Sequence, residues 1–180
     1  MRIMGIDPGS RATGYGVVEG GSGRLVHVGH GIVRTAATES VAQRLASIHS
    51  GLMEAVARYR PEVAVVERVF VAVNPRSAIV LGQARGAALA ALAGAGVAVD
   101  EISAREVKRA VTGAGGAGKT DVQSMVMRLL SLEDRPPTDA ADALAVAICR
   151  ASIGRLAGIG VRRRRQRRPA SLADLGRAER

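Results

Sequence analysis

The chain has 180 residues, enough for one domain with a full core, and its 47% apolar share is carried by Ala, Val, Leu and Ile with only three aromatics, Tyr15, Tyr59 and Phe70. The lone Cys149 excludes a disulfide framework or a cysteine zinc cluster. No apolar run reaches the length of a membrane span, and Arg2 and Asp7 break the N-terminal stretch where a secretory signal would be apolar; a cytoplasmic protein is expected.

The net charge of +10 is unevenly placed: residues 151–180 hold nine Arg against Asp174 and Glu179, a net of +7, and six of those arginines fall within Arg162–Arg168. Such a run reads either as a solvated, disordered tail or as a segment that meets a polyanion.

In chain order, Met1–Asp7 is an apolar run ended by an acid and the turn Pro8-Gly9-Ser10. Gly14–Glu19 and Arg24–Val33 follow, separated by the turn Gly20–Gly23, and together they predict a three-stranded antiparallel meander. Leu45, Ile48, Leu52 and Val56 recur at helical spacing within Val41–Tyr59, and Pro61 stops that helix. Val63–Glu67 is a short buried strand, Ser77–Ala95 an Ala-rich helix, and Val97–Ile102 a fifth strand. Ser103 with Glu106 forms the pattern of a capping box for a helix from Ala104; helices over Thr120–Leu132 and Thr138–Ile153 complete the set. The order implies an α/β fold, a mixed five-stranded sheet with helices on both faces, compatible with the ribonuclease-H-like plan. One folded domain is expected over residues 1–155, with a linker beginning near Leu156 and a basic, disordered tail over 156–180.

Residues Gly113 to Thr120 satisfy the phosphate-loop pattern G-x-x-x-x-G-K-[ST]. That motif works only where a buried strand feeds the loop and a helix leaves it. The upstream segment Arg105–Val111 carries four charges in its first five positions and reads as a helix, so the loop is expected to present Lys119 to a nucleic-acid phosphate and not to ATP. A nucleotide-binding ATPase is the competing reading, and a non-catalytic junction- or duplex-binding protein is a third.

Four carboxylates stand where a sheet could aim them at one point. Asp7 and Glu67 end apolar strands, the place where parallel sheets expose their sites. Asp139 and Asp142, three apart, share a helix face; alone they could equally be an acidic pair favouring the helix dipole. Two such charges at 4 Å repel by about 4 kcal/mol at an effective dielectric of 20, a cost that divalent cations would remove. With no histidine after His49, a metal held there must accept oxygen ligands, which points to magnesium or manganese. Two ions shared by four carboxylates form the clamp used for in-line phosphoryl displacement. An acidic pocket in basic surroundings reads as a metal-dependent nuclease.

The motifs Gly5-Ile6-Asp7-Pro8-Gly9-Ser10-Arg11, Thr13-Gly14-Tyr15-Gly16, Glu67-Arg68-Val69-Phe70, Gly82-Gln83-Ala84-Arg85-Gly86 and Asp139-Ala140-Ala141-Asp142-Ala143-Leu144-Ala145 closely resemble the RuvC family of Holliday junction resolvases, from residue 1 to about 153. The resemblance implies a ribonuclease-H-like nuclease domain, a homodimer, and two active sites that nick opposing strands of a four-way DNA junction in recombination and repair. It implies Asp7, Glu67, Asp139 and Asp142 as ligands of two Mg2+ ions per subunit, with Mn2+ as a substitute. Lys108 and Lys119 match lysines that meet phosphates near the scissile bond, Lys119 with a catalytic part, and Phe70 matches an aromatic that stacks on bases. An aromatic just past a catalytic strand fits such stacking, worth about 1–3 kcal/mol, although flanking Val69 and Val71 also fit a core-packing Phe. Arg76 and Arg85 are further expected DNA contacts. Val73 stands where the family often shows a lysine, and Arg76 is the candidate to replace that contact; Asp139 stands where some members have His. A branch-migration complex of RuvA and RuvB type proteins is the implied partner, and no membrane is involved.

Overall fold

The computed structural model describes residues 1–21, 24–68 and 74–166, with the backbone alone from residue 154 onward. Phe70 and Val73 therefore lie outside the described residues, as do the arginines from Arg167 on.

Five strands form one mixed sheet: β1 (Arg2–Asp7), β2 (Ala12–Gly21), β3 (Arg24–Arg34), β4 (Val63–Arg68) and β5 (Ala98–Ser103), in the order β3-β2-β1-β4-β5. The meander β1-β2-β3 is antiparallel, while β4 lies parallel to β1 and β5 parallel to β4. The central strands are buried on both faces, which is why they read as near-continuous apolar runs. Successive side chains leave a strand on opposite faces, so Ile3, Val63 and Val65 join one core cluster and Met4, Ile6, Ala64 and Val66 the other.

Helices α1 (Val41–Tyr59) and α2 (Pro75–Gly94) cover the second of these faces. Ser40 and Gln43 close a capping box at the start of α1, and Arg60 ends it in the left-handed conformation at φ 47° before Pro61. Asn74 caps α2 through its side chain, and Pro75 takes the first helical position, where its missing N–H costs nothing. Among the described residues α2 is the one helix long and apolar enough to cross a membrane by length and composition, against the expectation that no run is. Its Ala84, Ala88, Ala91 and Leu92 are buried in the core.

On the other face lie α3 (Ala104–Thr112), α4 (Lys119–Leu130) and α5 (Thr138–Gln166). Ser103 and Glu106 form the expected capping box, and Gly113 ends α3 at φ 81°, a conformation that suits glycine. Helix α4 stops at Leu130 and not Leu132 because Ser131 turns left-handed at φ 53°. Helix α5 is longer than its sequence suggests: it runs on past Leu156, where a linker was expected, to Gln166. An isolated glycine, as at 154, 158 and 160, only weakens a helix, and the first proline after Thr138 is Pro169.

Close packing of α5 on the sheet depends on three glycines. A Cβ at Gly5 would collide with the Ala143 carbonyl, one at Gly14 with the Asp139 carbonyl, and one at Gly16 with Leu144. Gly5 and Gly16 face each other in the β1–β2 register, and Gly14 faces Asp7. The helix therefore lies almost on the backbone of the two strands, with its first turn beside the end of β1.

Candidate active site

Ile6 pairs with Val66 across the parallel β1–β4 ladder, and the next residues on the two strands are Asp7 and Glu67. Asp7 continues the Ile3–Gly5 side of β1 and Glu67 the Val63–Val65 side of β4, so both carboxylates leave the sheet toward α5. There they meet Asp139 and Asp142 from the first turns of that helix. The structure thus brings all four sequence-derived acids to one place.

Electrostatics show how crowded this place is. The Asp7 carboxyl is pushed up from its ordinary 3.8 to about 7, first by burial, then by the charges of Asp142, Glu67 and Asp139, with Lys119 opposing. Glu67 is also raised, by burial and then by Asp142, against the pull of Lys108 and Lys119. The Lys119 ammonium lies 2.8 Å from Asp142 Oδ2, and this bond raises its own pKa. Glu67, Asp142, Lys108 and Lys119 line one cleft of about 200 Å³ with apolar walls from Val107, Val122 and Ala145. Among the described residues no three acids or imidazoles are drawn together as a closed metal cage. Four like charges repel, and Lys119 takes one of them.

Lys119 opens α4, directly after the glycine-rich loop, and the Asp121 carboxylate accepts a hydrogen bond from the Gly118 N–H. Helix α3 enters that loop where a phosphate loop requires a buried strand, so the motif at 113–120 lacks the setting of an ATP site.

The remaining expected DNA contacts differ in exposure. Arg76 is exposed in the first turn of α2 and lines a groove with Ser10 and Ser77, next to the turn that follows Asp7. Arg85 is largely buried instead. Its guanidinium pairs with Glu101 at 2.9 Å and lies 3.5 Å from the Glu67 carbonyl oxygen, which places it behind the carboxylate as a support. The sequence reading missed Glu101, and it took Thr13 only as part of a motif. A threonine directly before a Gly-x-Gly stretch carries no periodic signal of its own.

Comparisons with known proteins agree with this fold. The family model described as crossover junction endodeoxyribonuclease RuvC matches residues 3–150. The crossover junction endodeoxyribonuclease RuvC of Cupriavidus metallidurans is 50% identical over 163 residues, covering 88% of this chain and 90% of that protein. Its counterpart in Geobacter metallireducens is 52% identical over 152 residues, covering 84% and 93%. Among solved structures, Thermus thermophilus RuvC superposes with a TM-score of 0.80 at 37% identity over 87% of this chain and 97% of that one. T. thermophilus RuvC in complex with Holliday junction substrate gives 0.82 at 36% identity over 87% and 96%. The fold is thus shared with proteins matched along nearly the whole folded chain, and this chain belongs to the RuvC family of crossover junction endodeoxyribonucleases.

Proposed function

We propose that the protein resolves four-way DNA junctions by hydrolysing phosphodiester bonds at the Asp7–Glu67–Asp139–Asp142 centre with two magnesium ions, a homodimer nicking opposing strands. The observation that carries this reading is the convergence of four carboxylates at the end of β1, two of them, Glu67 and Asp142, lining one cleft with Lys108 and Lys119. The donor set fits hard divalent cations, since it offers carboxylate oxygen and neither sulfur nor imidazole. The upward shift of Asp7 to about 7 marks a place where added positive charge is favoured, and Lys119 already supplies one such charge to Asp142. Two divalent ions bound there supply polarisation of the attacking water and neutralisation of the leaving oxygen.

The protein's own groups do the rest. Lys108 and Lys119 hold the scissile phosphate from the far wall of the cleft, with Lys119 exchanging its Asp142 partner for the phosphate. Arg76 takes a flanking phosphate, Phe70 stacks on a base near the junction centre, and the basic C-terminal segment adds affinity without sequence preference.

The exposed stripe of α2 supports a dimer. Ile79 is 63% exposed, and Gly82, Gly86, Ala90 and Ala93 continue the same face with small side chains that allow close approach. Membership of the family supports action in the cytoplasm alongside a branch-migration complex of RuvA and RuvB type.

The test is cleavage of a synthetic four-way junction with linear duplex as control. The wild-type chain with magnesium nicks opposing strands of the junction and spares the duplex, whereas Asp7→Asn binds the junction and does not cut. Magnesium-dependent nicking by Asp7→Asn at the wild-type rate, or equal cutting of both substrates by the wild type, overturns the reading.

A further inference from the structure

We propose that Thr13 is a positioning residue for Asp7, acting through the turn that follows it; this rests on the catalytic reading of Asp7 above. Thr13 is fully buried and is the one buried polar side chain among the described residues. Its hydroxyl donates to the Gly9 carbonyl oxygen at 2.8 Å and accepts a longer bond, 3.4 Å, from the Gly9 N–H. One hydroxyl thus engages both polar groups of a single residue, two positions past Asp7.

The rest of the turn is held as firmly. The Thr35 hydroxyl donates to the Ser10 carbonyl at 2.8 Å, and the Thr35 N–H donates to the Arg11 carbonyl at 3.1 Å. Three consecutive carbonyls, of Gly9, Ser10 and Arg11, are therefore claimed by two threonines, Thr13 on β2 and Thr35 directly after β3. The turn is also folded tightly on itself, since a Cβ at Gly9 would collide with the Ala12 carbonyl.

Asp7 needs such a frame. Among the described residues no hydrogen bond or ion pair holds its carboxylate, while three neighbouring acids repel it. It is the last residue of β1, so the backbone that leaves it decides where its side chain points. A frame of this kind acts on the chemical step, because displacing a reacting group by about 1 Å can cost roughly a hundredfold in rate without loss of substrate binding.

Thr13→Val keeps the shape of the side chain and removes the hydroxyl; Thr13→Ser keeps the hydroxyl and removes the methyl. Three quantities are measured on the full chain: the single-turnover rate on a four-way junction, the junction Kd in EDTA, and the melting temperature. In Thr13→Val the rate falls by about tenfold or more while Kd stays within about twofold, and Thr13→Ser recovers most of the rate. Thr35→Val, at the partly exposed end of the clamp, shows the same split to a smaller extent and serves as the deciding variant should Thr13→Val fail to fold. Wild-type rates in a folded Thr13→Val, equal impairment of Thr13→Ser and Thr13→Val, or an unchanged Thr35→Val where Thr13→Val does not fold each overturn the proposal. Absence of junction cleavage by the wild type would instead remove the catalytic reading itself, which separates the two failures.

Discussion

Asp7 binds its proton more tightly in the folded protein than in the unfolded chain, because burial and three neighbouring acids penalise its charge. The sign of the linkage follows. The folded pKa lies above the unfolded one, so no penalty exists well below pH 3.8, and stability is lost as pH rises from there to about 7. Asp7→Asn removes that titration. In metal-free buffer the variant should melt above the wild type at pH 8, with the gain shrinking toward pH 4; equal melting temperatures across that range would contradict the crowding of the four acids. At this scale much was legible in the chain. An acid closing an apolar run is conspicuous, since few buried strands end in a carboxylate without a partner. Thr13 was not legible as a site residue, because its importance lies in what its hydroxyl touches four residues back.

Elements decide whether these acids meet. Helix α5 carries Asp139 and Asp142 to Asp7 because Gly5, Gly14 and Gly16 let it lie on the sheet backbone. Gly14→Ala sets a methyl group against the Asp139 carbonyl, in a strand where alanine itself is no worse a residue than glycine. The expected cost is about 1–3 kcal/mol of stability, together with lost cleavage as the first turn of α5 shifts. Gly94→Ala, at the end of α2 with nothing within 4 Å, is the control, and it should alter stability by no more than about 1 kcal/mol. Chemical denaturation of the two variants compares them directly. The glycines are visible in the sequence as members of two predicted strands; that they admit a helix depends on residues more than a hundred positions away. The length of α5 was misjudged for a related reason. The expected end at Ile153 and linker near Leu156 do not hold, since nothing there breaks the hydrogen-bond ladder as a proline would.

For the whole molecule the open question is what α2 meets. Its buried side is settled by Ala84, Ala88, Ala91 and Leu92, and its other side leaves Ile79 exposed beside small residues. If that face joins two copies, Ile79→Asp buries an unpaired charge in the interface and should shift the protein toward monomer in light scattering while the chain stays folded. An unchanged dimer in that variant would move the interface elsewhere.

The sequence by itself determined the element order, most helix starts to within a residue or two, the capping box at Ser103 and the four acids with Lys119, because periodicity, capping chemistry and strand-end charge are local signals. It also showed that the phosphate-loop pattern lacks its feeding strand. Only the tertiary structure decided that Asp7 and Glu67 leave the sheet on the side where α5 lies, that Arg85 is bound to Glu101, and that Thr13 and Thr35 clamp the turn after Asp7. The physical reason is distance along the chain: these arrangements join residues brought together by strand register and by the close approach of backbones, and no short window of sequence contains both partners.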